Sequence, residues 1–243
     1  MSDLKLKPFV ILIFVLSISV LISCAPKTYK INPQFNTNCK LIKHYCLVKP
    51  DVEICEISAG GVKEKRDDWC AQGMKNVTAA LKKSLDLKNV NFKPITIDDD
   101  LKNETEDIQA LYRAVSQSIR LHAIGPGPFV FPDKTAKFDY SIGPINTILD
   151  RYDCDALITV YGTDAISTGG RKALMALGAI AGAFTGVVVM PAGGMTTINF
   201  ALIDENGNIL YYSSKAEGGY DFRDPESALN FVDKALADYP ECK

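Results

Sequence analysis

Seven cysteines and two histidines are the residues of this 243-residue chain best suited to chemistry. Cys39, Cys46, Cys55 and Cys70 crowd one stretch, Cys154 and Cys242 stand far downstream, and Cys24 closes an apolar run near the N-terminus. No CxxC pair occurs, and His44 and His122 are too few for a mixed cysteine–histidine zinc site, so no metal is expected. Apart from Cys24, the six remaining cysteines are an even set and read as disulfide candidates in an oxidising compartment, with their pairing open. Cys154 lies against an apolar run and could equally be a buried thiol acting as a small hydrophobe. There is no GxSxG, no HExxH and no Ser/His/Asp constellation, so no catalytic residue and no cofactor is expected.

A second chemical feature is the turn Ser167, Thr168, Gly169, Gly170, Arg171, Lys172 ahead of a helix-forming run. Free amides, hydroxyls and two cations at a helix start could hold phosphate or carboxylate, although an ordinary helix cap uses the same residues. It is not a phosphate-binding P-loop, because GxxxxGK[ST] is absent. The acidic triplet Asp98, Asp99, Asp100 could bind a cation, but a run of this kind more often favours the positive end of the helix that follows.

The 27 basic and 29 acidic residues give a net charge of -2, and no basic stripe appears, which argues against nucleic acid as a partner. At the N-terminus Lys5 and Lys7 precede an uncharged apolar run over 9–22. That run matches the core of a signal peptide and is shorter than the ~20 residues a spanning helix needs. It ends Leu21-Ile22-Ser23-Cys24, which resembles the lipobox of bacterial lipoproteins. The resemblance implies a signal peptide over 1–23, with Cys24 acylated and made the first mature residue. Ala25, where inner-membrane lipoproteins tend to carry aspartate, favours the outer membrane. The implied address is the bacterial cell envelope, on the periplasmic face, with membrane lipid as a partner through Cys24.

The elements that must hold these residues follow from periodicity. The polar residues 25–40 read as a tether, and 41–243 as one α/β (α+β) domain: a mixed sheet of about five strands flanked by helices. Strands are expected over 52–57, over 90–97 at an edge because of Pro94, and over 156–161 at the sheet centre. Residues 196–203 and 209–214 flank Asn206-Gly207 and read as a β-hairpin. Helices are expected over 67–85 with Asp67 or Asp68 as cap, from the acidic triplet to His122, from a cap at Ser141 to Tyr152, and after the cap Asp224 with Pro225 in the first turn.

Two stretches have no settled place. The loop 124–140 carries Phe129 and Phe131, either an interaction surface or a lid on the core. The uncharged run 173–190, which includes Phe184 and Val188, reads first as a buried helix or hairpin against the sheet. Its second reading is a surface meeting lipid or another subunit, and its last a membrane span.

Asp155, Ala156, Leu157 and Ile158, followed by Leu202, Asp204, Gly207 and Tyr211 of the hairpin, carry a resemblance to TolB-type amino-terminal domains. They also resemble the lipoprotein domains of the curli secretion channel. The resemblance implies a non-catalytic accessory or assembly module of an envelope complex, with an envelope protein or a second copy of the chain as partner. A small-ligand or anion-binding lipoprotein built on the 167–172 turn is the alternative.

Overall fold

In the computed structural model, which describes residues 27–124, 129–185 and 194–242, eight strands form one mixed sheet built around β6 (Ala156–Ser167). Every residue from Ala156 to Val160 is buried, as a strand covered on both faces must be. On one side β6 pairs antiparallel with β7 (Thr196–Asp204), β7 with β8 (Ile209–Glu217), and β8 with β1 (Tyr29–Ile31) at the edge. On its other side β6 takes two parallel partners in succession, β2 (Tyr45–Leu47) and β3 (Asp51–Ile57). The break between these two contains Pro50, which has no amide to give to a ladder. β5 (Phe92–Pro94) lies outside β2, and β4 (Lys63–Lys65) outside β3. Pro94 is thus on an edge strand, where a missing amide costs no ladder bond.

The helices are α1 (Phe35–Asn38), α2 (Asp67–Asp86), α3 (Lys102–Ile119), α4 (Pro132–Ala136), α5 (Asn146–Tyr152), α6 (Gly169–Thr185) and α7 (Pro225–Ala235). α2 and α7 cover one face of the sheet, where Val77, Leu81, Phe231 and Val232 meet Ile54, Ile158 and Phe200. α3 and α5 cover the other, where Tyr112, Ile119, Ile148 and Leu149 meet Leu157, Ala201 and Tyr212. The result is a three-layer α/β/α domain. α7 starts as the sequence dictates: the Asp224 carboxylate accepts the Ser227 amide at 3.0 Å, with Pro225 in the first turn.

Several boundaries differ from the sequence reading. Arg66, not Asp67 or Asp68, is the residue before α2, and the two aspartates occupy its first turn instead, where the helix dipole favours them. Ser141 does not cap a helix; it bridges Asn208, and α5 begins only at Asn146. The cause is the β7–β8 turn. Gly207 sits at φ +76°, and a Cβ there would lie 1.7 Å from the Gly143 carbonyl oxygen, so the chain from Ser141 runs flat along the turn. The Ile142 and Ile145 amides donate to Gly207 and Glu205. The acidic triplet is engaged by a cation of its own chain: Asp98 and Asp100 both pair with Arg151.

The stretch 25–40, read as a tether, joins the fold from Tyr29 onward. Tyr29 pairs with Ser213, and Phe35 and Cys39 are buried in the core. Polar composition hid an edge strand three residues long, too short to show periodicity. Cys39 is bonded to Cys242 and Cys46 to Cys154, each with a Cα–Cα distance of 5.9 Å, so Cys154 is not a free thiol. Cys55 and Cys70 are disulfide candidates that the fold keeps apart. Cys70 lies on the buried face of α2 with its sulfur 3.1 Å from the Ile54 amide, while Cys55, the residue after Ile54, points to the opposite face of β3.

Candidate functional site

The strand directions place two chain segments at one end of the sheet. β6 ends at Ser167 and leads into α6; β7 starts at Thr196 and β8 finishes at Glu217 at that same end. β1 is antiparallel to β8, so the chain enters β1 from this end too, with the Thr28 carbonyl accepting the Ser214 amide at 2.8 Å. The chain entering β1 through Lys27 and Thr28 and the start of α6 therefore lie at a common end of the sheet. Cys24 and Val188 lie outside the described residues, as does the side chain of Phe184.

α6 is not buried. Leu174, Leu177 and Ile180 are 47, 62 and 56% exposed, and their spacing of three places them along one stripe. The expectation of a helix packed on the sheet is overturned because the apolar part of each sheet face is already taken by α2 and α7 or by α3 and α5. Alanine and glycine, which fill much of α6, also offer it little side chain to bury. Among the described residues no helix is long and apolar enough to cross a membrane.

The 167–172 turn is self-capped. Ser167 belongs to β6 rather than to the turn, with its hydroxyl buried. Thr168 accepts the Arg171 amide on its side chain and the Lys172 amide on its carbonyl, at 3.3 and 3.0 Å. Gly169 and Gly170 open the helix beyond it. The Arg171 guanidinium is 3.4 Å from the Ser58 carbonyl, and the residue is buried. Thr168 and Arg171 thus hold the start of α6 against the β3–β4 loop, while the buried Ser167 hydroxyl has no hydrogen-bond partner among the described residues.

Phe129 and Phe131 are exposed beside the end of α3. Phe131 stacks on His122 at 4.7 Å, and His122 Nδ1 is 2.8 Å from the Phe129 carbonyl, so this imidazole is a strut for the loop. His44 is exposed and lies 3.6 Å from Asp155. Burial raises the Asp155 carboxyl, but the His44 and Lys43 amides that it accepts, with the charges of both side chains, hold it below the usual carboxylate range. Among the described residues no group of three or more His, Cys, Asp or Glu could hold a metal ion.

One cleft, of about 790 Å³, was not read from the sequence. Its floor is a cross-strand row on the α3 side of the sheet. Tyr161 of β6 stands opposite Asn199 of β7, Asn199 opposite Ser214 of β8, and Thr28 follows on the β1 side. Asn199 is 1% exposed, and its side-chain oxygen accepts from Ser214 at 2.8 Å and Tyr212 at 3.2 Å. Arg113 and Arg120 of the α3 side overhang the row, with Leu121, Ile124 and Phe129 as the apolar wall. Burial pushes the Tyr161 phenol up, helped by Glu53 and Asp51 and opposed by the two arginines. The one sequence signal is Asn199, a polar residue between the apolar Ile198 and Phe200 of β7.

The described chain is thus a mixed-sheet α/β domain with an apolar helix standing off one end and a polar cleft beside it. No family model matches it, and no curated protein matches it. Among solved structures it is similar to the PelC dodecamer from Paraburkholderia phytofirmans, at 10% identity and a TM-score of 0.35 over 80% of this chain and 84% of that one. A single-substitution variant of the same PelC gives 10% identity and a TM-score of 0.33, over 79% and 85%.

Proposed function

We propose that this protein is a lipid-anchored, non-catalytic accessory module of a cell-envelope complex, tethered through acylated Cys24 and joined to its complex through α6. The observation that carries the reading is the exposed stripe Leu174, Leu177, Ile180 at the end of the sheet from which the chain leads back to Cys24. An apolar helix face left in water is a standing cost of about 25 cal/mol per Å², and it is recovered only when a partner covers it. The signal-peptide pattern, the lipobox and the TolB-type resemblance of β6 and the hairpin support the same reading. Tethering assists it, since an anchored module meets its partner at high effective concentration.

The test is photocrosslinking from Leu177 in intact cells, with Leu177→Asp as the paired variant. The expected result is one discrete envelope-protein adduct from position 177. The aspartate variant should lose partner co-purification while its stability shifts by no more than about 0.5 kcal/mol, as for an exposed site. No adduct, together with unchanged co-purification by Leu177→Asp, would remove α6 from the assembly surface.

A further inference from the structure

We infer that the cleft between α3 and the Thr28–Ser214–Asn199–Tyr161 row is a binding site for the phosphate headgroup of a membrane phospholipid. The chemistry of the lining is the first ground. Arg113 and Arg120 offer donors in the fork geometry that suits phosphate oxygens. Asp51 already pairs with Arg113, whereas no carboxylate among the described residues is within ion-pair distance of Arg120. The cleft therefore holds one uncompensated guanidinium, a match for one phosphodiester charge. Beneath it lie the hydroxyls of Thr28, Ser214 and Tyr161, and beside it Leu121, Ile124 and Phe129 form a wall suited to glycerol and the first methylenes of an acyl chain. A volume of about 790 Å³ is that of a small-molecule site.

Position is the second ground, and here the inference rests on the acylation of Cys24. Thr28 lines the cleft and is fixed by its bond to Ser214. Cys24 is four residues earlier, so its acylated sulfur is tied to a backbone atom within ~14 Å of Thr28 at full extension. A chain anchored at that length holds the mouth of the cleft near the headgroup layer, where phosphodiesters are the commonest anion. The floor is itself rigid. Ser116, Tyr212, Asn199 and Ser214 form a continuous hydrogen-bonded chain, with the first link at 2.7 Å. Little ordering is left to do on binding.

Native mass spectrometry of the mature protein, purified in an uncharged maltoside detergent, separates the outcomes. Phosphatidylglycerol should be retained at one molecule per chain and diacylglycerol should not. Arg120→Gln should lower retention about tenfold, the effect of losing one charged hydrogen-bonding partner, while Arg120→Lys should restore part of it. If glycerol phosphate alone is held as tightly as the lipid, the ligand is a soluble phosphate and the membrane assignment is overturned. The acyl groups on Cys24 are read in the same spectrum. An acylated chain that retains no phosphatidylglycerol overturns the cleft alone; an unacylated chain that retains it supports the cleft and sinks the tether; an unacylated chain that retains none overturns both.

Discussion

Replacing Cys39 and Cys242 by serine is expected to lower the unfolding free energy by about 3–5 kcal/mol. The bond closes a loop with a sequence separation of 203, so in the chain-entropy picture it removes far more disorder from the unfolded state than a local bridge would. It also fixes the two ends of the described chain. α1 and the start of the sheet edge are joined to the tail that follows α7, around a core where Phe35, Phe200, Tyr211 and Tyr239 pack ring on ring. Each kcal/mol is worth about 2–4 °C in a domain of this size, so the melting midpoint should fall by roughly 10 °C. Urea titration of the oxidised protein and the double serine variant measures it directly. A loss below about 1 kcal/mol would mean that the aromatic cluster alone holds the two ends together.

The second large effect is expected at Asp164. This carboxyl is 1% exposed; it accepts the Phe222 amide at 2.9 Å and lies 2.9 Å from the Thr196 hydroxyl, which in turn is 3.0 Å from the Tyr220 carbonyl. Asn76 holds the same segment from α2 through the Phe222 and Arg223 carbonyls. Asp164→Ala leaves the buried Phe222 amide without a partner, with the Thr196 hydroxyl held by the Tyr220 carbonyl alone, and should cost about 1–3 kcal/mol. The pH dependence has a definite sign. Burial raises this carboxyl above its ordinary value of 3.8, with Asp221 adding to the rise, against the Phe222 and Thr196 bonds and Arg223. A group raised on folding contributes stability fully present below its unfolded value and lost as pH climbs through its folded value. The gap between wild type and Asp164→Ala should therefore be widest in acid and narrow as pH rises from about 4. A gap that widens with pH would show that Asp164 is held as a paired anion.

These two results rest on parts of the chain that were unequally legible in the sequence. The buried central strand, the hairpin around Asn206-Gly207 and the capped last helix carry strong local signals, and they formed where those signals stood. The edge strand Tyr29–Ile31 did not announce itself, because its stability comes from pairing with β8 rather than from its own residues. β6 extends past Tyr161 to Ser167 because β3 and β7 flank it, and the sequence alone has no way to count partners. For α6 the hydrophobicity was visible but its direction was not: the same apolar residues suit a core or an interface, and only the prior occupation of both sheet faces decides. The cleft was least legible. Residues 28, 161, 199 and 214 become neighbours through strand register, and each taken singly is an ordinary polar residue on a strand or at its start.

Cys24 is the residue on which both the tethering of the module to its complex and the membrane-facing reading of the cleft depend. Mass spectrometry of the N-terminal peptide from membrane-fraction protein addresses it directly. The expected finding is a mature chain beginning at Cys24, its sulfur carrying diacylglycerol, with Cys24→Ser leaving an unprocessed precursor that still contains 1–23. A mature chain beginning elsewhere, or beginning at Cys24 with a free thiol, would contradict lipid tethering and with it the orientation of the whole domain.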